Sequence, residues 1–407
     1  MKILLSWLRD YVDIRETPER IADALLMSGT EVEAIFRPGE NLRTVVIGQI
    51  LDIKEHPNAS DLTICCVDVG KDSPLHIVCG AKNVRPLDKV PVAQIGSTLP
   101  SGAEIRKASI RGVDSLGMLC SMKELGISDD HSGIYILPED STVGQDVLNV
   151  LGRDEAIFDL SVTPNRGDEL SHLGIARELS AIFNLSLGRE ALDGSEGPGD
   201  VKKVTSVQIE ESDLCHRYGA RVVENVKVGK SPNWLRDRLE KVGIRSINNI
   251  VDVTNYVMLD IGHPMHAFDF DKLSQNRIFV RKARQGEKIK TLDGGVRTLS
   301  NPMLVIADAK DAVALAGVMG GKDCEVTERT TRVLLEAAVF DPVSVRKTSK
   351  TLGLVSESSY RFERGVNVAN VPIALNLAAR LISDVSKGQP IAGMIDSYPN
   401  ILPMKRI

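Results

Sequence analysis

The 407-residue sequence has no apolar run long enough to cross a bilayer. Its opening residues, Met1–Trp7, meet Arg9 and Asp10 too early to form the apolar stretch of a secretory signal. The chain therefore reads as cytoplasmic, with no membrane partner. Cysteine is sparse, and Cys65, Cys66, Cys79, Cys120, Cys215 and Cys324 contain no Cys-x-x-Cys spacing. That argues against a zinc site and a disulfide framework, and leaves buried free thiols as the expectation. An excess of positive charge is missing too. The net charge is −5, so any contact with nucleic acid must come from local patches. Two stand out: Arg106 and Lys107 with Arg111, and Arg346 and Lys347 with Lys350. Standing alone, each reads as a solvated face rather than a phosphate site.

Signatures of nucleotide, metal and covalent chemistry are also absent. Ala316 stands where a phosphate loop needs its first glycine, and Asp323 stands where Ser or Thr would hold magnesium. His263 and His266 lack a His-Glu-x-x-His pattern and a third ligand, so no metal ligand is assigned. There is no complete catalytic triad. What the sequence does hold is three segments able to line one pocket: Ala316–Gly321, Leu334–Glu336 and Ser356–Gly365. Such a set would position a substrate and a water rather than attack covalently.

A chain this long should divide into two to four domains. Residues 1–40 read as a small α/β piece, in which Thr17 caps a helix, Pro18 opens it, and Ile21, Ala24 and Leu25 form a stripe ending near Gly29. Short β-branched runs at 44–50, 62–69, 75–79 and 89–95 alternate with turn residues, which predicts a small all-β barrel. Helical spacing returns at 169–183, with Leu173, Ala176, Leu179 and Phe183 on one face. Residues 191–200, rich in glycine and acid, read as a linker. Beyond it lies a mixed α+β region. It has a helix opened by Ser231 and Pro232, a hairpin turn at 291–296, strands at 303–307 and 332–338, a helix capped at Asp341-Pro342, and a long helix at 371–385 ending at Gly388. Residues 393–398 read as a strand whose partners are missing, which suggests a fragment.

Glu336 sits in the apolar run Val333–Phe340, and a buried carboxylate is unfavourable unless something donates to it. Two readings are open: a structural partner such as Arg361 or Arg364, or a group kept for a ligand's donor. His266 is likewise either a satisfied core histidine or a group that orients water.

Taken together, the ordered motifs resemble one family. They are Ser6–Leu8 with Tyr11-Val12, His56–Leu62, Ile77–Ala81, Arg111–Val113 with Gly117–Ser121, Val162–Asp168, Val251–Tyr256, His266–Asp269, Ala316–Gly321 and Phe362–Gly365. The chain resembles the N-terminal half of the β subunit of bacterial phenylalanyl-tRNA synthetase over essentially all its residues. The resemblance implies a multidomain α+β fold. Residues 1–40 plus 151–190 would form an N-terminal α/β domain, with an OB-fold tRNA-binding-type barrel inserted at 41–150. A linker at 191–202 would lead to an editing domain at 203–400, and 401–407 would begin a missing downstream domain.

The activity implied is hydrolysis of tyrosine wrongly esterified to the phenylalanine tRNA. The aminoacylation site would lie on the α subunit of an α2β2 heterotetramer, and ATP and Mg2+ would belong there and to absent segments, with no cofactor in this chain. By position, Glu336 matches the reader of the tyrosine hydroxyl, and His266 and Arg245 match residues lining the pocket. Gly320, Ser356 and Ser358 match small residues bounding it, and Asn255 a further wall residue. Arg106, Lys107 and Arg111 are the candidate tRNA contacts. The sequence departs from the family at His263, where glutamine is frequent, and at Ser358, where alanine is. The competing reading is a non-catalytic assembly and tRNA-docking module with a lapsed pocket.

Overall fold

The computed structural model describes residues 1–42, 44–148, 150–152, 155–188 and 196–401. They form two compact units, one of residues 36–156 and one joining residues 1–35 to the chain from 157 onward. The fold is mixed α+β.

In the 36–156 unit the central element is the strand Val45–His56, which pairs antiparallel with Ala59–Asp68 on one side and Lys89–Gln94 on the other. The first neighbour pairs with Leu75–Cys79 and the second with Gly117–Leu119, giving a five-stranded sheet. The Leu116 N–H donates to the His76 carbonyl at 2.9 Å and the Val78 N–H to Ser115 Oγ at 3.1 Å. These bonds bring the two sheet edges together, so the barrel is nearly closed. The curl needs a glycine in the long strand. A Cβ at Gly48 would stand 2.5 Å from Val92 Cγ2 and 2.8 Å from Val67 Cγ1. A separate ribbon, Ala108–Ile110 with Val113–Ser115, turns at Arg111 and Gly112, whose φ angles of 50° and 86° are those of a tight hairpin turn.

In the other unit, Lys2–Leu4, Ile157–Ser161 and Glu31–Phe36 form a three-stranded sheet. The expected helix spans Pro18–Ser28, with Thr17 as its cap and Gly29 in the left-handed region at φ 102°. The helix expected from Glu169 starts instead at His172, because Ser171 caps it and Gly167–Glu169 forms a short 3-10 turn. These N-terminal residues share a core with the helix Asn249–Ile261. Trp7 stacks on His172 at 3.8 Å and on Tyr256 at 4.6 Å, and its Nε1 donates to Asp260 at 2.9 Å.

The C-terminal region adds two five-stranded sheets. One contains Met265–Asp269, Arg332–Phe340, Cys215–Glu224 and the short Gln389–Pro390, with Ile395–Ser397 also pairing to Cys215–Glu224. The strand read as unpartnered at 393–398 therefore has its partner 175 or more residues upstream, beyond the reach of local pattern. The second sheet runs Ser206–Ile209, Arg277–Lys282, Leu304–Ala307, Ala312–Leu315, Met319–Gly320. Tyr218, Phe268, Val280, Val305, Leu315, Leu334 and Phe340 belong to the core packed between these elements.

The long helix spans Asn370–Ser386 and ends on Lys387 at φ 61°. Gly388 is required for another reason: its missing Cβ would meet Val226 Cγ1 at 2.7 Å and Val223 Cγ1 at 2.9 Å. Residues 191–195 of the expected linker, and 402–407 of the expected downstream start, lie outside the described residues. From Glu196 on, the linker segment is packed. The Gly197 N–H donates to the Pro390 carbonyl and the Val201 N–H to the Ala392 carbonyl, each at 2.9 Å. All six cysteines are free thiols, five buried and Cys66 half-buried.

Candidate active site

Register places the candidate carboxyl at the centre of three strands. Glu336 lies opposite Ala220 on one side and opposite His266 on the other. Directly opposed residues of antiparallel strands project from the same face, so Glu336 and His266 share a face. Tyr218, two residues from Ala220, shares it as well.

A cavity of about 50 Å³ opens against that face. Met265 and His266 line it from one strand, with Pro264 just before it, and Glu336 from the next. Ala314, Leu315 and Gly317–Gly320 supply a second wall, and Ser358 and Phe362 close it from the helix Glu357–Phe362.

Glu336 is 5% exposed. Tyr218, fully buried, donates its hydroxyl to Glu336 Oε2 at 2.9 Å. Oε1 has no hydrogen-bond partner among the described residues. Burial pushes the carboxyl up to about 8, and the Tyr218 hydrogen bond pulls it the other way. The group is thus largely neutral near pH 7, which removes most of the penalty for holding it in an apolar strand. Burial, with Glu336 beside it, likewise drives the Tyr218 phenol well above its ordinary value.

His266 keeps some residue exposure toward the cavity, yet its Nε2 is sealed and has no partner among the described residues. Burial lowers the imidazole to about 4, so the ring is neutral at physiological pH. It stands edge-on to Phe268, with ring centres 4.4 Å apart. Gly320 faces it directly. A Cβ there would lie 2.3 Å from His266 Cε1 and 2.7 Å from Nε2. Gly317 has φ 69° and is hemmed by Val345, Phe362 and Phe340, so two glycines of the Ala316–Gly321 turn are required by space or backbone.

His266, Glu336, Gly320 and Ser358 are thus brought to one cavity. Ser356 is not among its lining residues. Its Oγ caps the helix Glu357–Phe362 by accepting the Ser359 N–H at 3.0 Å and donates to the Val318 carbonyl at 2.7 Å, fixing a wall rather than forming one. Asn255 is half-buried in the helix Asn249–Ile261, and Arg245 is exposed in the loop after the helix Asn233–Lys241; neither lines the cavity. Neither arginine weighed as a partner for Glu336 reaches it. Arg361 pairs with Glu357 at 2.6 Å and Arg364 with Glu363 at 2.5 Å.

Tyr218 is the residue that sequence reasoning missed. A signal existed, because a buried tyrosine hydroxyl needs a partner and Tyr218, Ala220 and Val222 alternate along one strand face. Only the register of the sheet identifies that partner as Glu336.

Of the candidate RNA contacts in the barrel unit, Arg106 is paired with Glu104 at 2.6 Å and Lys107 with Asp114 at 2.7 Å. Arg111, at the ribbon turn, is exposed with no charged partner among the described residues. No helix among the described residues is long and apolar enough to cross a membrane.

A B3/4 domain family matches residues 214–387, and a putative tRNA binding domain family matches residues 45–146. The chain is 46% identical over 407 residues to the phenylalanine–tRNA ligase beta subunit of Syntrophotalea carbinolica, covering 100% of this chain and 50% of that protein. It is 50% identical over 397 residues to that of Anaeromyxobacter dehalogenans, covering 98% of this chain and 50% of that protein. The chain therefore spans about half the length of the curated relatives it matches. A solved N-terminal fragment of the Pyrococcus horikoshii phenylalanyl-tRNA synthetase beta subunit covers 62% of this chain and 69% of its own, at a TM-score of 0.33 and 16% identity, too slight a likeness to carry an argument.

Proposed function

The chain belongs to the phenylalanine–tRNA ligase beta subunit family, fitting its N-terminal half, and on that premise we propose that its cavity hydrolyses tyrosine from wrongly charged tRNA(Phe). One observation carries the reading: a buried carboxyl has one oxygen held by Tyr218 and the other left free at the cavity. A tyrosine phenol can both donate to and accept from that free position. Phenylalanine leaves it unpaired, at about 1–3 kcal/mol for a buried polar group. A synthetic pocket shaped for phenylalanine rejects an added hydroxyl only about a hundredfold, so a second site with the opposite preference is what accuracy requires.

In this reading Glu336 binds the phenol and His266 orients a water toward the ester carbonyl. With its imidazole lowered to about 4, His266 is a weak base and serves as a hydrogen-bonding group. The ester is already activated, and the terminal ribose hydroxyl of the tRNA assists. Gly320 leaves the space that His266 occupies, Ser358 bounds the substrate, and Ser356 holds Val318 in place. Arg245 and Asn255, outside the lining, are given no part in the reaction.

The nearly closed barrel is read as an OB-fold RNA-binding module, supported by its five strands and by the tRNA-binding family match at 45–146. Arg111 is its best-placed cation, since Arg106 and Lys107 are already paired. Aminoacylation, with its ATP and Mg2+, is assigned to the α subunit of an α2β2 assembly and to segments beyond this chain.

The test is deacylation of tyrosyl-tRNA(Phe) by this chain, by Glu336→Ala and by His266→Ala. Hydrolysis above the buffer rate that both substitutions abolish supports the proposal. No acceleration by the unaltered chain overturns it, leaving an assembly and tRNA-docking role.

A further inference from the structure

We infer that the helix Pro342–Leu352 is a phosphate-docking face that holds the RNA strand leading into the cavity. The inference rests on the hydrolytic reading above, but its evidence is separate. This helix carries Arg346, Lys347 and Lys350 and no acidic residue. All three cations are exposed, and none has an ion-pair or hydrogen-bond partner among the described residues. Other exposed cations have an acidic neighbour, as in Arg15–Asp13, Arg106–Glu104 and Lys322–Glu325; this helix brings three together with none.

The arrangement has no internal reward. Arg346 and Lys350 are four apart, so they repel along one face of the helix. Lys350 gains from the helix C-terminus, but Arg346 and Lys347 lie mid-helix, where the dipole offers nothing. An external anion relieves that repulsion. Along the axis Arg346 and Lys350 stand about 6 Å apart, close to the rise of about two stacked nucleotides.

The helix also packs beside the cavity. Its buried face packs on the cavity wall, with Val345 Cγ2 only 2.9 Å from where a Cβ of Gly317 would be. It leads through Gly353 into the helix that supplies Ser358 and Phe362 to the cavity. An aminoacyl ester in the cavity fixes the terminal ribose at its mouth, so the preceding phosphates run over adjacent surface. A phosphodiester strand fits this requirement; an acidic polypeptide has no reason to end at the cavity.

The experiment uses the whole chain with Arg346, Lys347 and Lys350 all replaced by alanine. A fluorescent RNA minihelix with a single-stranded CCA end is titrated by anisotropy across a KCl series, with thermal unfolding as a check on the fold. Expected is a loss of at least tenfold in affinity near 0.1 M salt, and a log–log salt slope shallower by about 2. Because binding is read without hydrolysis, the result is independent of whether the cavity deacylates tyrosyl-tRNA. Unchanged affinity and slope overturn the inference. So does a variant that keeps the minihelix but loses binding to polyglutamate.

Discussion

Tyr218 Oη stands 2.9 Å from Glu336 Oε2, across two strands and 118 residues of sequence. That bond divides the carboxyl between the protein and the cavity. Replacing Tyr218 with phenylalanine removes the donor and keeps the ring. Glu336 Oε2 is then left unsatisfied, at about 1–3 kcal/mol, and the carboxyl moves still further above its ordinary range. We expect lower resistance to denaturant and weaker discrimination of tyrosyl over phenylalanyl ester. Unaltered discrimination would show that Tyr218 acts only on stability.

Glu336 also sets a pH dependence. Its folded value of about 8 lies above its ordinary 4.5, so the folded state holds the proton more tightly than the unfolded chain. Its contribution to stability is therefore fully present below about pH 4.5 and is lost progressively as pH rises toward 8. Each unit of difference is worth about 1.4 kcal/mol. Glu336→Gln, neutral throughout, should be more stable than the parent at pH 8.5 and nearly equal to it at pH 5. Urea midpoints at the two pH values measure this, and parallel curves would refute it.

His172 works in the opposite direction. Its Nε2 accepts the Leu4 N–H at 3.2 Å while its Nδ1 faces the Leu259 carbonyl at 3.0 Å, an arrangement that requires a neutral ring. Burial holds it down to about 3. Stability from this group is present above its unfolded value near 6.5 and is lost as pH falls toward 3. His172→Ala removes the acceptor for Leu4 and the surface on which Trp7 stacks, and should cost about 2–4 kcal/mol. Trp7 fluorescence during acid titration reads the change. A variant that unfolds at the parental pH midpoint would exclude this account.

How much of this was readable in the sequence depends on the range of each interaction. Thr17, Pro18 and Gly29 delimit their helix through contacts within four residues, and the sequence pattern reveals them. The barrel strands follow from alternation and turn residues. Gly388 illustrates a half-readable position: a glycine was expected at the helix end, but Lys387 makes the left-handed turn and Gly388 makes room for Val223 and Val226. The strand Ile395–Ser397 and the partner of Glu336 depend on sheet register, which no local window contains. Arg361 was a reasonable candidate on charge alone. It is turned away to Glu357 and the Leu170 carbonyl.

Gly320→Ala tests the space beside His266. The new Cβ would overlap the imidazole at 2.3 Å, and Phe268 stands edge-on to that ring with centres 4.4 Å apart. Overpacking of this kind costs about 1–3 kcal/mol, so the chain should still fold. With His266 displaced, deacylation of tyrosyl-tRNA(Phe) should fall by at least tenfold, while minihelix binding is retained. Full activity in a folded variant would mean that the imidazole position is unimportant.

His266 itself separates two roles for the water. A general base with an ordinary imidazole would give a rate that rises through pH 6.5. The buried ring, lowered to about 4, instead keeps one protonation state across the neutral range, so any limb from His266 should lie near pH 4. A group that only orients water is replaceable in part by another hydrogen-bonding side chain of similar reach. His266→Asn should then retain a measurable fraction of the deacylation rate that His266→Ala loses, with the same flat profile between pH 5.5 and 7.5. A parental limb near 6.5 that vanishes in His266→Asn would instead assign proton transfer to this ring.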